Sequence, residues 1–162
     1  MNHLFCLIIS GGHTHLVKIN DYTDYEIIGR TKDDAIGESY DKVARVIGLG
    51  YPGGPKIDKL AYEGEANIKL PKSKIEGLNF SFSGIKTAVI NLHHKEPDIN
   101  KADLCASFEK TTTEMLIDNV KKAIDETGIK KVVLARWSIS KFIYKKKIPR
   151  ARRRRTYKNI LS

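Results

Sequence analysis

Two short glycine-rich segments hold the residues best suited to grip a ligand. In Ser10-Gly11-Gly12-His13-Thr14 the paired glycines let backbone N–H groups point at one anion with no Cβ in the way, and Ser10 and Thr14 add hydroxyls. A phosphate suits such a turn. Gly48 to Pro55 packs four glycines and two prolines into eight residues, and within it Gly50 to Pro55 closes on a helix start, where unpaired N–H groups favour an anion or a ribose hydroxyl. Neither spacing is that of a P-loop or a dinucleotide-binding fingerprint, and each segment also reads as a tight turn and nothing more.

Between these segments lies an acidic stretch with Asp33, Asp34, Glu38 and Asp41. Asp41 stands four residues before Arg45 and can pair with it on an exposed helix face. Alternatively, Asp41 and Asp58 face a cleft and accept hydrogen bonds from a ligand's hydroxyls. The carboxylate spacing defines no octahedral set for magnesium. His13 and His15, two residues apart, make at best a poor zinc pair. Ser83, in Phe80-Ser81-Phe82-Ser83-Gly84, has no nucleophile-elbow pattern around it and reads as the cap of a helix starting near Gly84. Lys86 sits in the first turn of that helix, where a cation opposes the helix dipole unless an anion lies close by.

The elements that must position these residues follow from apolar spacing. Leu4–Ile9, His15–Ile19 and Tyr25–Gly29 read as three strands of a β-meander. Ile36, Tyr40, Val43 and Ile47 recur on one helical face, predicting a helix from about residue 35 to 47. A short helix is predicted from Pro55 to Tyr62, then a polar surface excursion from Glu63 to Asn79. Phe80–Phe82 reads as a short strand leading into a helix with Ile85, Ala88, Val89 and Leu92 on one face. The longest helix spans Lys101 to Thr127, with Leu104, Phe108, Met115, Leu116, Val120 and Ile124 buried and Gly128 as its stop. Lys131–Ala135 completes the pattern as a strand.

At 162 residues and 41% hydrophobic, the chain can form one ordinary core. No apolar run approaches a membrane span, no signal peptide is apparent, and Cys6 and Cys105 read as small core residues of a cytoplasmic protein. The net charge of +10 is unevenly spread. Of the 29 Lys and Arg, 11 fall after Ala135 with no Asp or Glu, leaving 18 basic against 19 acidic residues before it. Two segments are therefore expected: a body over 1–135 and a basic tail over 136–162. Such a tail can bind nucleic acid without sequence preference. It is expected to be disordered beyond about Ser140, unless Phe142–Tyr144 continues a helix.

Three strings carry a specific resemblance: IISGGHTHLV (Ile8–Val17), DDAIGESYDKVARVIGLGYPGGPKIDKLA (Asp33–Ala61) and FSFSGIKTAV (Phe80–Val89). In this order they closely resemble the tRNA threonylcarbamoyladenosine transferase family, formerly called glycoprotease or O-sialoglycoprotein endopeptidase. The resemblance implies an α/β fold, part of an actin-like or Hsp70-like ATPase lobe built on a ribonuclease-H-like sheet, with a β-meander followed by helices. It implies that Ile8, Ile9, Ser10, Gly11 and Gly12 line the site for ATP or threonylcarbamoyl-AMP, that Asp41 and Gly54 contact substrate, and that Asp58 holds the nucleoside side. The implied reaction transfers a threonylcarbamoyl group to N6 of adenosine 37 in tRNA. The family also uses a divalent metal (iron, zinc or magnesium), and in bacteria partners a catalytically silent paralogue and an ATPase subunit.

The sequence departs from this pattern in ways that set further expectations. Family members are roughly twice as long. The His-x-x-x-His pair and the aspartate that hold the metal have no counterpart here, so the metal ligands are expected to be missing and the isolated chain inactive. After Ala135 the family carries Gly-Gly-Val-x-x-Asn, whereas this chain reads Arg136-Trp137-Ser138-Ile139-Ser140-Lys141. Codons for those six residues, shifted by one base, can spell the family motif. The chain is thus expected to be a fragment with a frameshifted tail, leaving a non-catalytic nucleotide-binding remnant as the alternative reading.

Overall fold

The structure is a computed structural model and describes residues 3–136, with no account of the Arg136 side chain. The expectations about Ser140 onward, Phe142–Tyr144 included, lie outside the described residues. Strands β1 (Leu4–Ile9), β2 (Thr14–Ile19) and β3 (Tyr25–Arg30) form the expected meander. Helices α1 (Ile36–Val46), α2 (Gly53–Ala61), α3 (Ser83–Lys95) and α4 (Lys101–Thr127) follow, and β4 (Val132–Arg136) ends the described chain. The sheet order is β3-β2-β1-β4. β2 is antiparallel to β1 and β3, while β4 lies parallel to β1, with Phe5 opposite Val132. The four helices supply the long crossover that a parallel pair requires.

Burial alternates along β1, as a half-buried strand demands: Phe5, Leu7 and Ile9 are buried, and Leu4, Cys6 and Ile8 only partly so. The buried set joins Leu16, Val43, Ile57, Phe82, Ile85, Leu104, Phe108 and Leu116 in one core, so the helices cover one face of the sheet. Val120 and Ile124 are only partly buried against that core. α4 runs its full expected length because both ends are closed. Asn100 accepts from the N–H groups of Ala102 and Asp103 at 2.9 and 3.3 Å. Gly128 adopts φ 73° and donates its N–H to the Ile124 carbonyl.

Two local expectations need correction. α2 begins at Gly53, two residues before Pro55, because its first amide finds a carboxylate partner described below. Phe80–Phe82 is not a strand: only a single parallel bridge joins Thr31 to Phe80. The excursion from Glu63 to Asn79 lies mostly at the surface, as expected, but it buries Leu70 and Leu78, and α4 straps it down through Ser107, Asp103 and Asn119.

Candidate functional site

The Ser10–His13 turn is closed on itself. The Ser10 N–H donates to the His13 carbonyl at 2.8 Å, and the His13 N–H donates to Ser10 Oγ at 2.9 Å. Gly11 and Gly12 lie at its exposed tip. A Cβ added to either would meet nothing within 4 Å, and neither is among the glycines with positive φ. Packing and backbone conformation therefore leave both glycines unexplained, and their amides have no acceptor among the described residues. Thr14, expected to offer a hydroxyl to the ligand, is buried instead, and its Oγ1 accepts from the Ile36 N–H at 3.0 Å. It caps α1 from β2.

α1 ties this turn to the second glycine segment. A Cβ on Gly37 would fall 2.7 Å from Gly11 Cα and 2.8 Å from the Ser10 carbonyl oxygen. One on Gly53 would fall 2.6 Å from the Tyr40 carbonyl oxygen and 2.7 Å from Asp41 Cα. Gly37 and Asp41 are four residues apart, hence on one face of α1 and separated by about 6 Å along its axis. The two glycine segments thus press on successive turns of one helix face. Asp41 Oδ1 accepts the Gly53 N–H at 2.7 Å, and no Asp41–Arg45 ion pair forms among the described residues. The start of α2 consequently does not offer its first amide to an anion. It presents a carboxylate, which suits a ligand's hydroxyl donors.

The remaining site residues divide. Gly54 is buried in the first turn of α2, and Asp58, half-buried, stands one turn further on the same face. Asp58 is close enough to Tyr40 to help raise its hydroxyl pKa, after burial and Glu109. Ile8 lies on the sheet face away from the helices. Ile9 is fully buried on the helix side, so any ligand contact from Ile9 must come through its main chain.

The acidic stretch proves to be three separate devices rather than one cluster. Asp33 Oδ1 accepts from the N–H groups of Phe82 and Ser83 at 2.9 and 3.4 Å, and its other oxygen takes the Ser81 hydroxyl. Asp33, not Ser83, therefore closes the start of α3; Ser83 is itself the first helical residue and makes no side-chain cap. Asp34 pairs with Lys86 at 2.5 Å and Lys42 at 2.9 Å, and Lys42 also meets Glu38 at 2.8 Å. Burial pushes the Asp34 carboxyl up, but hydrogen bonds from Lys86 and Lys42 outweigh it and hold the group below its ordinary value. Asp34 is the anion that offsets the misplaced cation of Lys86 at the α3 N-terminus. The partners of Asp33 and the Lys86 partner of Asp34 lie about fifty residues away in sequence, where only the dipole conflict at Lys86 hints at a contact.

No group of three or more His, Cys, Asp or Glu among the described residues can hold a metal ion. His13 and His15 come within 5.4 Å, ring centre to ring centre, but no third ligand joins them, so the donor set does not fit the family metal. Cys105 is buried, with its thiol pushed up to about 12 chiefly by burial and then by Glu109. No helix among the described residues is long and apolar enough to cross a membrane.

A family model described as TsaD, tRNA N6-adenosine threonylcarbamoyltransferase, matches residues 2–152, running past the tail boundary expected at Ala135. Proteins of that name share extensive identity: 53% over 137 residues in Clostridium perfringens (strain SM101 / Type A), 50% over 138 in Clostridium novyi (strain NT) and 51% over 137 in Clostridium botulinum (strain Hall). Each alignment covers 80% of this chain and 40% of the relative, so the chain spans 40% of the length of the curated relatives it matches. The mixed sheet with helices on one face agrees with the actin-like fold of this group. The chain belongs to the tRNA N6-adenosine threonylcarbamoyltransferase family.

Proposed function

We propose that this chain supplies one wall of the binding site for ATP or threonylcarbamoyl-AMP in transfer of the threonylcarbamoyl group to N6 of adenosine in tRNA. The observation that carries the reading is the exposed pair Gly11–Gly12, which no packing or positive φ requires to be glycine, with Gly11 lying against Gly37, one turn of α1 before Asp41 on the same face. In this reading the amides of Gly11 and Gly12 take the phosphate, with Ile8, Ile9 and Ser10 shaping the turn's base. Asp41, Gly54 and Asp58 line the nucleoside side, where the carboxylates accept ribose hydroxyls. The donor is a mixed carbamic–phosphoric anhydride: the adenosine N6 amine attacks its carbamoyl carbon, the C–N bond forms as the C–O bond to phosphate breaks, AMP departs with the bridging oxygen, and the amine's proton is released to solvent. The chain's own contribution is to orient the phosphate and hold the leaving AMP.

The family's divalent metal finds no adequate donor set among the described residues, so no step is routed through it. The paralogue and ATPase subunit are proposed partners of the full-length family proteins, as tRNA is their substrate. Within this chain, the switch from a nearly neutral body to a strongly basic run after Ala135 supports a boundary there, with residues 136–162 as an appended tail. The second reading is a nucleotide-binding remnant without turnover.

Calorimetric titration of AMP into the purified chain, paired with nucleoside analysis of unmodified tRNA incubated with threonylcarbamoyl-AMP, tests both. Saturable binding of AMP without modified adenosine is the expected result for the chain alone. Absence of AMP binding refutes the site, and catalytic turnover refutes the remnant.

A further inference from the structure

The face of the sheet away from the helices has an ordered composition. Register places Arg30, His15, Ile8 and Ala135 in one row across all four strands. The next row is Ile27, Val17, Cys6 and Val133. Neither row contains a carboxylate. Directly opposed residues on an antiparallel pair share a face, so the Arg30 side chain stands beside His15. The His13 ring meets that of His15 edge-on at 5.4 Å. Arg30 is exposed, and its side chain makes no ion pair or hydrogen bond among the described residues. Its backbone is tied independently, with the N–H on Asn79 Oδ1 and the carbonyl accepting from Phe80.

We propose that Arg30, His13 and His15 form a phosphate-ester binding corner on this face. Register and the ring contact bring three donor-bearing side chains together there, one of them a permanent cation with a planar fork suited to phosphate oxygens, and neither row holds a carboxylate. Burial first, then the neighbouring His13 and Arg30, lowers the His15 pKa, and an anion seated between these groups would offset that effect. The corner adjoins the turn proposed above for the nucleotide, since His13 follows Gly12 and Ile8 lies beside His15, but Arg30 and His15 belong to the sheet face away from the helices, so Arg30→Gln reports on the corner and the Gly11 and Gly54 amides on the nucleotide site.

The test uses the full isotopically labelled chain, following the imidazole resonances of His13 and His15 by NMR. Inorganic phosphate, AMP and a short single-stranded RNA oligonucleotide are the probes, each titrated into the chain and into Arg30→Gln. We expect saturable imidazole shifts, a His15 titration moved to higher pH in bound chain, and binding weakened about fivefold or more in Arg30→Gln. Saturation by RNA at far lower concentration than by phosphate or AMP identifies a nucleic-acid backbone as the source. Equal response to phosphate and AMP identifies a free ester. The basic tail is common to both proteins, so the difference between them isolates the corner. Imidazoles unmoved by all three probes, or equal affinity in Arg30→Gln, overturn the proposal; Gly11 and Gly54 amides that still respond to AMP would leave the nucleotide reading standing.

Discussion

Alanine at Gly11 or Gly12 separates folding from ligand binding. A Cβ at either position meets no heavy atom within 4 Å and the backbone needs no positive φ. Alanine should therefore leave the fold intact or stabilise it by about 0.4–1 kcal/mol through a less flexible unfolded chain. If these amides cradle a phosphate, the same methyl group obstructs its approach and costs a charge-assisted hydrogen bond of about 1.5–3 kcal/mol. That corresponds to roughly 10- to 150-fold weaker AMP binding. Gly37→Ala is the contrasting case: its Cβ would strike backbone atoms of Ser10 and Gly11 below 3 Å, so it should destabilise by about 1–3 kcal/mol. Urea unfolding and calorimetry on the three variants provide the readout. A Gly11→Ala or Gly12→Ala protein that binds AMP normally refutes the cradle, and one destabilised like Gly37→Ala refutes the claim that the fold does not need these glycines.

Further expectations concern the devices around α3 and the core. Asp33→Ala uncaps α3 and should cost about 1–2 kcal/mol in urea unfolding, where Ser83→Ala costs little. The folded-state pKa of Asp34 is depressed, so its contribution is complete above the ordinary carboxylate pKa of about 4 and is lost as pH falls through the lower folded value. The stability gap between the chain and Asp34→Asn should accordingly close with acidification across that window; a gap constant with pH would contradict the ion-pair assignment. Cys105, buried with its thiol raised to about 12, should resist a thiol reagent at neutral pH until the chain is unfolded, and rapid labelling of the native chain would contradict its placement.

What was legible in the sequence was local. β1 and α4 appear with their expected bounds because each is fixed by its own pattern: alternating burial in one, closed ends and apolar spacing in the other. Errors fall where a distant residue decides. The start of α2 depends on Asp41, twelve residues back, and the start of α3 on Asp33, about fifty residues away. Thr14 reads as a turn hydroxyl because nothing nearby announces its contact with Ile36. Lys86 is the instructive exception: its conflict with the helix dipole calls for an anion, and Asp34 is that anion. The glycine segments were recognisable by composition, but their shared dependence on one face of α1 required the fold. The structure also alters their chemistry, since Asp41 occupies the amide that an anion would have used.

The most direct measurement is an amide-resolved NMR titration of the full chain with AMP. If one nucleotide spans the first turn and the start of α2, the resonances of Gly11, Gly12 and Gly54 must shift together and saturate at a single midpoint. Shifts confined to one segment, or two segments with different midpoints, would contradict the account.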